Sequence, residues 1–128
     1  MRRIWPIDGD DRFQIPALLA EWGYPRELQD GELAISWWYG VGRDGVFWYN
    51  ASPDHPPGSA MLHVCLSPEM RGTTLRREWV AVELIAELRG VKLLITEPKT
   101  ERQRQSLLRM GWEEGKDNTV TRDLRDAP

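Results

Sequence analysis

The chain has 128 residues, 41% of them hydrophobic and 29% charged, and its formal net charge is −3. This balance predicts one compact soluble domain and excludes the strongly basic field that binds nucleic acid or an anionic membrane. The basic N-terminus runs into acidic residues, not into the apolar segment of a signal peptide, and no stretch approaches the roughly 18 apolar residues of a membrane span. We therefore expect a cytoplasmic protein with no membrane or nucleic-acid partner.

The start of the chain predicts a short strand followed by a helix. Arg2–Ile7 form the strand, and the acidic turn at residues 8–11 supplies the helix start. Apolar side chains recur at helical spacing over Phe13–Trp22, with Pro16 in the first turn, where proline is tolerated. Gly23 ends this helix, because glycine readily adopts the left-handed conformation that follows helix C-termini.

Aromatic residues dominate the next segment, which is predicted to be a hairpin. Leu33–Val41 and Val46–Asn50 are typical strands, and the Asp44-Gly45 pair between them is a strong turn signal. Successive strand residues face opposite sides, so one member of each adjacent aromatic pair should point away from the core. The pairs are Trp37 with Trp38 and Trp48 with Tyr49. Packing on helices explains much of this set, and the remainder is predicted to line a substrate groove or a protein interface, including a homo-oligomer contact.

A strand and a long helix follow a proline-rich loop at residues 51–59. The strand is predicted at Met61–Leu66. The helix has Thr74 as its predicted N-cap and ends at Gly90. Its predicted core stripe comprises Leu75, Trp79, Val82, Ile85, Ala86 and Leu88.

The last part of the chain predicts a buried strand, a helix and a strand pair. Val91–Thr96 is continuously apolar, as in strands buried on both faces. The helix spans Thr100–Met110, and the final strands lie between Trp112 and Leu124. The resulting order, β-α-β-β-β-α-β-α-β-β, predicts an α/β fold with a mixed sheet.

Two phrases in this order resemble a known family. Ser67-Pro68-Glu69-Met70-Arg71-Gly72 is similar to the strand-ending "P-E-x-R-G" phrase of the GNAT N-acetyltransferases, and Met110-Gly111-Trp112 stands where that family often has "L-G-F". The resemblance covers the second half of the chain by motif and nearly all of it by element order. It implies one GNAT-like domain over residues 1–128, with a strand, helix and hairpin at 1–60, an acyl-CoA-binding core at 61–112 and final strands at 113–124.

The family's phosphate loop begins with arginine or glutamine and has small residues at its fourth and sixth positions, so that backbone N–H groups at a helix N-terminus approach the pyrophosphate of coenzyme A. Arg71 matches this pattern, but Thr74 and Arg76 occupy the two small positions. Two alternatives follow. The threonine hydroxyls and arginines hold a phosphate group through side chains, or Thr74 is only an N-cap, the arginines are a solvated face and the site is lost.

The resemblance implies acetyl-CoA or another acyl-CoA as cofactor, and no metal. Its predicted contacts are Cys65, Arg71, Gly72, Thr73, Thr74, Leu75, Arg76, Arg77 and Thr100. From the residues alone, Cys65 is a small buried residue in an apolar run, and the nearby His63 is weak support for a catalytic cysteine.

Two further family positions are altered here. The tyrosine that can protonate the leaving thiolate corresponds to Leu107, which has no proton to give, and the adjacent Ser106 points about 100° around the helix. The family's asparagine at the start of this helix corresponds to Thr100. Together with the changed loop, these differences favour a weak or absent transferase activity.

A transferase would also need a base that accepts a proton from the amine. His63 and Glu69 are the candidates, although a strand histidine is more often a packed residue and a loop glutamate is more often solvated.

Two functions are therefore open. The first is an acyl-CoA-dependent N-acyltransferase whose amine acceptor, a small molecule or a protein, binds near the aromatic hairpin. The second is a non-catalytic GNAT-fold binding or assembly protein, such as a bacteriophage component located within the virion.

Overall fold

The computed structural model describes residues 2–51, 55–71 and 75–126. In chain order, its elements are β1 (Ile4–Pro6), α1 (Ile15–Glu21), α2 (Glu32–Ile35), β2 (Trp37–Val41), β3 (Gly45–Asn50), β4 (Ser59–Leu66), α3 (Arg76–Leu88), β5 (Leu93–Thr96), α4 (Glu101–Arg109), β6 (Glu113–Glu114) and β7 (Val120–Asp123). Within these residues the strands form one seven-stranded sheet in the order β1-β2-β3-β4-β5-β7-β6. The predicted mixed α/β sheet is confirmed.

The described residues group into two compact units. The first is drawn from residues 2–50 and 64–80, and the second from residues 51–63 and 81–126. The prediction of a single domain over residues 1–128 stays a prediction.

The sheet of the first unit contains the predicted hairpin. Strands β2 and β3 are antiparallel, with Trp38 opposite Trp48, and β1 is antiparallel to β2. The turn between β2 and β3 includes Gly42 at φ 57°, a left-handed conformation that glycine adopts without steric cost. The turn therefore lies at residues 42–44, inside the predicted segment, while Gly45 already pairs with Val41 in β3.

The start of β2 differs from the prediction. Residues 33–35, expected to be strand, belong to the short helix α2, and Ser36 ends that helix in an extended conformation. Gly31 precedes α2 at φ 81°, and the Glu32 carboxylate accepts a hydrogen bond from the Gln29 amide at 2.9 Å. These local bonds stabilise a helical turn where the apolar pattern alone favoured a strand.

The first helix forms as predicted. A 3-10 helix at Gly9–Gln14 leads into α1, with Pro16 in the first turn of α1. Gly23 follows the end of α1 at φ 73°, which confirms its role as the stop.

The aromatic hairpin lies in the core of the first unit. Trp48 and Tyr49 expose 0% of their surface, so the expectation that one of them points away from the core is wrong. Alternation along a strand fixes opposite directions, but it does not decide whether each face of the sheet is covered. The buried cluster around Trp48 also contains Ile7, Ile15, Leu19, Trp22, Trp38, Val46 and Cys65.

In the second unit, β5 pairs in parallel with β4 and antiparallel with β7. Ser59 lies opposite Leu93 and Met61 opposite Ile95. The Thr96 hydroxyl, at the end of β5, donates to the Leu62 carbonyl oxygen at 2.8 Å. Because β5 ends there, β4 continues beyond its parallel neighbour toward Leu66.

Helix α3 carries most of its predicted apolar stripe, with one exception. Val82 and Ala86 are buried, but Leu88 is 78% exposed and does not belong to the core face. At 3.6 residues per turn, Leu88 points away from the face that Val82 and Ala86 share. The predicted N-cap, Thr74, lies outside the described residues.

Across the described ranges, no helix has both the length and the apolar character that crossing a membrane requires.

Candidate functional site

The turn at residues 67–71, which follows β4, lies in the first unit and is anchored by buried residues. Ser67 donates its amide hydrogen to the Asp44 carbonyl oxygen at 2.7 Å, and Met70 donates to the Ser67 carbonyl oxygen at 3.0 Å. Ser67 and Met70 expose only 2% and 3% of their surface. Glu69 and Arg71 are exposed on the same turn, which therefore presents polar side chains on a fixed backbone.

Helix α3 begins just after this turn. At the start of this helix the Trp79 amide donates to the Leu75 carbonyl oxygen at 2.8 Å. In any helix, the amides of the first turn point out of its N-terminal end. Arg76 and Arg77 are exposed at this end. A helix N-terminus with two adjacent guanidinium groups suits the binding of a phosphate anion.

A buried carboxylate occupies part of the same helix end. Glu78 is 5% exposed and accepts a hydrogen bond from the Arg2 amide at 2.8 Å. Burial would raise the pKa of this carboxyl, but hydrogen bonds from the Arg2 amide and from its own amide lower the pKa below the ordinary 4.5. The ionised Glu78 stabilises the helix N-terminus and also repels an incoming anion.

Arg71 makes a contact that the motif did not predict. Its guanidinium donates to the carbonyl oxygen of Trp22 at the end of α1. Arg71 thus ties the turn before α3 to the last turn of α1. Its predicted role as a phosphate contact stays a prediction, and binding a phosphate would require the side chain to serve two partners or to exchange them.

The Cys65 side chain lies in the core cluster of the first unit and is 2% exposed. This confirms the expectation of a small buried residue. Any contact of Cys65 with a cofactor would have to use its main chain. Gly72, Thr73 and Thr74, the centre of the predicted phosphate loop, lie outside the described residues.

The two candidate bases belong to different units. His63 is half-buried on β4 in the second unit, and Glu69 is exposed in the 3-10 helix Pro68–Met70 in the first. Their role as bases stays a prediction.

Helix α4, in the second unit, uses Thr100 as its N-cap. The Thr100 Oγ1 accepts a hydrogen bond from the Gln103 amide at 3.1 Å, and the Gln103 side chain accepts one from the Lys99 amide at 2.7 Å. The arrangement resembles a capping box, except that the Gln103 side chain accepts from the amide of Lys99, the residue before the N-cap. Leu107, at the position of the family's tyrosine, is 7% exposed and packs in the core, whereas Ser106 is exposed.

Of the four aromatic residues predicted to line a substrate groove or an interface, three are buried. Trp38, Trp48 and Tyr49 expose at most 2% of their surface, whereas Trp37 exposes 39%. In the described chain, Trp37 is therefore the member of this set with substantial exposed surface.

Sequence reasoning missed a buried carboxylate beside the hairpin. Glu32 is 4% exposed, and its two carboxylate oxygens accept hydrogen bonds from several donors in the first unit. Arg26 donates twice, at 2.8 Å to each oxygen. The Trp48 indole donates at 2.9 Å, the Gln29 amide at 2.9 Å and the Asn50 amide group at 3.2 Å. We refer to these five residues as the Glu32 network. The local sequence did not indicate this network, since Glu32 simply follows a glycine in an aromatic-rich segment.

Burial alone would raise the pKa of Glu32. The hydrogen bonds from Arg26, Trp48 and the Gln29 amide outweigh burial and hold the pKa at about 2, below its ordinary 4.5. Because the pKa is lower in the folded state than in the unfolded state, Glu32 stabilises the fold above about pH 4.5, and this contribution is lost as the pH falls toward 2.

This difference predicts the pH dependence of a Glu32→Gln variant. The stability gap between the natural protein and Glu32→Gln should shrink by about 3 kcal/mol as the pH falls from 6 to 2, given about 1.4 kcal/mol per pKa unit. Urea unfolding at several pH values in this range measures the gap. A gap that stays constant with pH would show that Glu32 titrates normally in the folded protein.

A second missed cluster lies in the second unit. Glu83 accepts a hydrogen bond from the Trp112 indole at 3.0 Å, and its Oε1 lies 3.1 Å from the Nε of Arg122. Burial raises the pKa of Glu83 despite the nearby Arg122 and the Trp112 hydrogen bond. A groove of about 180 Å³ borders this cluster, lined by Leu93, Gly111, Glu113, Thr121, Arg122 and Asp123. None of the predicted site residues lines it.

Among the described residues, no group of three or more histidine, cysteine or acidic side chains is arranged to hold a metal ion.

Comparison with known proteins gives a match at the level of structure. No protein-family model matches the chain, and no curated protein matches its sequence. A GNAT-family acetyltransferase from Desulfovibrio desulfuricans superposes with a TM-score of 0.65 at 16% identity, covering 97% of this chain and 99% of that chain. A Bacillus subtilis acetyltransferase solved in complex with CoA gives 0.67 at 12% identity, covering 96% and 99%.

The ribosomal-protein-S5-alanine acetyltransferase from Vibrio fischeri is also similar, with a TM-score of 0.65 at 16% identity and coverage of 98% and 94%. These identities are too low to carry an activity across, but the coverage is nearly complete in both directions. The chain therefore has the fold of the GNAT N-acetyltransferases, which confirms the resemblance seen in its sequence.

Proposed function

We propose that this protein is an acyl-CoA-dependent N-acyltransferase that acts on an amine and has an altered pyrophosphate loop. The start of α3 carries the proposal. Arg76 and Arg77 are exposed at the N-terminus of this helix, and the turn at residues 67–71 before it in the chain is anchored by the buried Ser67 and Met70. The structural similarity to an acetyltransferase in complex with CoA, and to one named for a ribosomal-protein alanine, supports an acyl-CoA donor and an amine acceptor.

The charges at this helix end fit a diphosphate in part. Arg76 and Arg77 attract the anion, while the buried Glu78 carboxylate opposes it. Thr74 and Arg76 stand where the family has small residues that allow close backbone approach. We therefore expect side-chain contacts to supply more of the affinity than in a glycine-rich loop, and the affinity to depend more strongly on salt.

In the proposed reaction, the amine nitrogen forms a bond to the acyl carbon as the carbon–sulfur bond breaks. His63 or Glu69, directly or through water, accepts the proton that the amine loses. The leaving sulfur must take up a proton, and Leu107 has none to give. Water is the remaining source, so we expect a slow reaction. The acceptor is a small molecule or a protein, and we place the reaction in the cytoplasm.

One set of observations supports a second candidate, a non-catalytic GNAT-fold binding protein. Leu107 is packed in the core, the Thr100 hydroxyl caps α4, and Arg71 is bonded to Trp22. Each of these side chains has a structural role at a position where the family has a functional one.

Thermal denaturation with acetyl-CoA tests the proposal. Ligand at about a hundred times its Kd should add roughly 2.7 kcal/mol of stability. Arg76→Ala should reduce this gain, and Glu87→Ala, a matched change on the exposed side of the same helix, should leave it intact. Arg71→Ala must be compared with its own ligand-free form, because it also removes the bond to Trp22.

The outcomes separate the candidates. No stabilisation by millimolar acetyl-CoA would rule out the transferase. Stabilisation without acetyl transfer to a panel of small amines and N-terminal peptides would favour the binding protein.

A further inference from the structure

Helix α3 has an exposed apolar row in addition to its buried face. Val80, Leu84 and Leu88 recur at intervals of four residues and expose 61%, 53% and 78% of their surface. Residues four apart lie on one side of a helix, and because α3 is continuous, the row follows from helical geometry alone. The buried face, with Val82 and Ala86, lies elsewhere on the helix. A helix that is apolar on two sides is typical of one that is covered on both.

The charges beside this row run against the helix dipole. Arg76 and Arg77 are exposed in the first turn, where the acidic Glu78 is buried away from the row, and Glu87 lies in the last turn, which has no basic residue. The opposite arrangement stabilises an isolated helix, because the N-terminus carries partial positive charge and the C-terminus partial negative charge. A second helix lying antiparallel against the row would place its acidic end beside these arginines and would compensate both ends.

We propose that a second copy of this chain covers the row, with the two α3 helices packed antiparallel. The two-fold axis crosses the helices midway between Val80 and Leu84. In this register Val80 packs against Leu84 of the second copy, and by symmetry Leu84 packs against its Val80. Arg76 and Glu87 are about three turns apart and so lie along the same flank of the row. The axis therefore brings Arg76 opposite Glu87 of the second copy, and the same pair forms again at the other end.

The size of the row limits the strength of this contact. A helix of 13 residues is about 20 Å long, and two such helices bury on the order of 800–1,000 Å² in total. Stable interfaces bury about 1,200 Å² or more. The expected dimer is therefore weak and depends on protein concentration, with a Kd in the micromolar range or above. The contact uses Arg76, which the proposed acyl-CoA site also uses, so association is measured on the protein without acyl-CoA.

Sedimentation equilibrium of the full chain, from about 20 μM to 1 mM, tests the dimer. The weight-average mass should rise from that of the monomer toward twice that value, and Leu84→Glu should remain monomeric with an unchanged circular dichroism spectrum. Ile35→Glu is the matched control, because Ile35 is also an exposed aliphatic residue, 68% exposed, but lies on α2. This control should associate like the natural protein. A natural protein that is monomeric at 1 mM would overturn the proposal.

A charge exchange tests the register. Glu87→Arg places like charges opposite each other twice and should raise the Kd about tenfold or more, which corresponds to 1.4 kcal/mol or more. Adding Arg76→Glu to Glu87→Arg recreates both ion pairs with reversed polarity and should return the Kd to within about threefold of the original. Failure of the double variant to recover, or normal association of Glu87→Arg alone, would overturn the antiparallel pairing of Arg76 with Glu87.

Discussion

Replacing Glu32 with alanine is expected to lower the free energy of unfolding by about 3–5 kcal/mol at neutral pH. The substitution removes the acceptor of every hydrogen bond in the Glu32 network. The Trp48 indole, which is fully buried, loses its carboxylate acceptor in a place where water does not easily replace it, and the amide of the exposed Gln29 loses the same acceptor. The guanidinium of Arg26 is 34% exposed and recovers part of its hydration, so it contributes less to the loss.

Urea denaturation measures this effect, with two comparison variants. Glu27→Ala removes an exposed acidic residue from the same segment and should change stability by less than about 0.5 kcal/mol. Glu32→Gln keeps one oxygen as an acceptor but loses the charge, so it should fall between the natural protein and Glu32→Ala. Equal stability of Glu32→Ala and Glu27→Ala would mean that the network contributes nothing net.

Local signals in the sequence predicted much of the fold. The Asp44-Gly45 pair placed the hairpin turn, and the apolar run ending at Thr96 placed β5. The glycines at positions 23 and 111 ended their helices with positive φ. Each of these signals acts over a few residues, since turns, caps and strand burial depend on the nearby chain. Such features can be read without knowing which segments meet.

The features that could not be predicted depend on distant parts of the chain. Glu32 lies 16 residues from Trp48, and Arg71 lies 49 residues from Trp22. No periodicity in the sequence links such partners. Leu88 shows the same limit, because a helix with apolar residues on two sides does not reveal which side is buried. The burial of both Trp48 and Tyr49 likewise depends on what packs on each face of the sheet.

The candidate site was predicted only in part, and the reason is related. The motif located the turn at Pro68–Met70 and a helix after it, because a proline and the buried Met70 fix the turn within a few residues. It did not predict that Glu78 is buried at the helix end or that Arg71 binds the Trp22 carbonyl oxygen. Both contacts bring groups from the N-terminal part of the first unit to the site. A motif indicates which residues contact a ligand, whereas neighbouring groups such as these determine how tightly the ligand binds.

Replacing Trp48 with alanine should have a comparable effect, a loss of about 3–5 kcal/mol in the free energy of unfolding. Trp48 is fully buried, stacks on Trp38 with ring centroids 4.5 Å apart, and meets the Tyr24 ring edge-on at 5.2 Å. Alanine leaves a large cavity there and removes a donor to Glu32. Trp48→Phe keeps most of the packing and loses the indole donor, so it should cost only about 1–2 kcal/mol.

Trp37→Ala is the matched control on the same hairpin. Trp37 lies opposite Tyr49 in the strand pairing but is 39% exposed, and its removal should cost about 1 kcal/mol. If Trp48 instead formed part of a protein interface, Trp48→Ala would weaken association while leaving monomer stability nearly unchanged. The burial of Trp48 predicts the opposite result. Trp48→Ala should lose stability even at micromolar concentration, and any loss of association should follow from unfolding. Circular dichroism and sedimentation on the same samples distinguish these two outcomes.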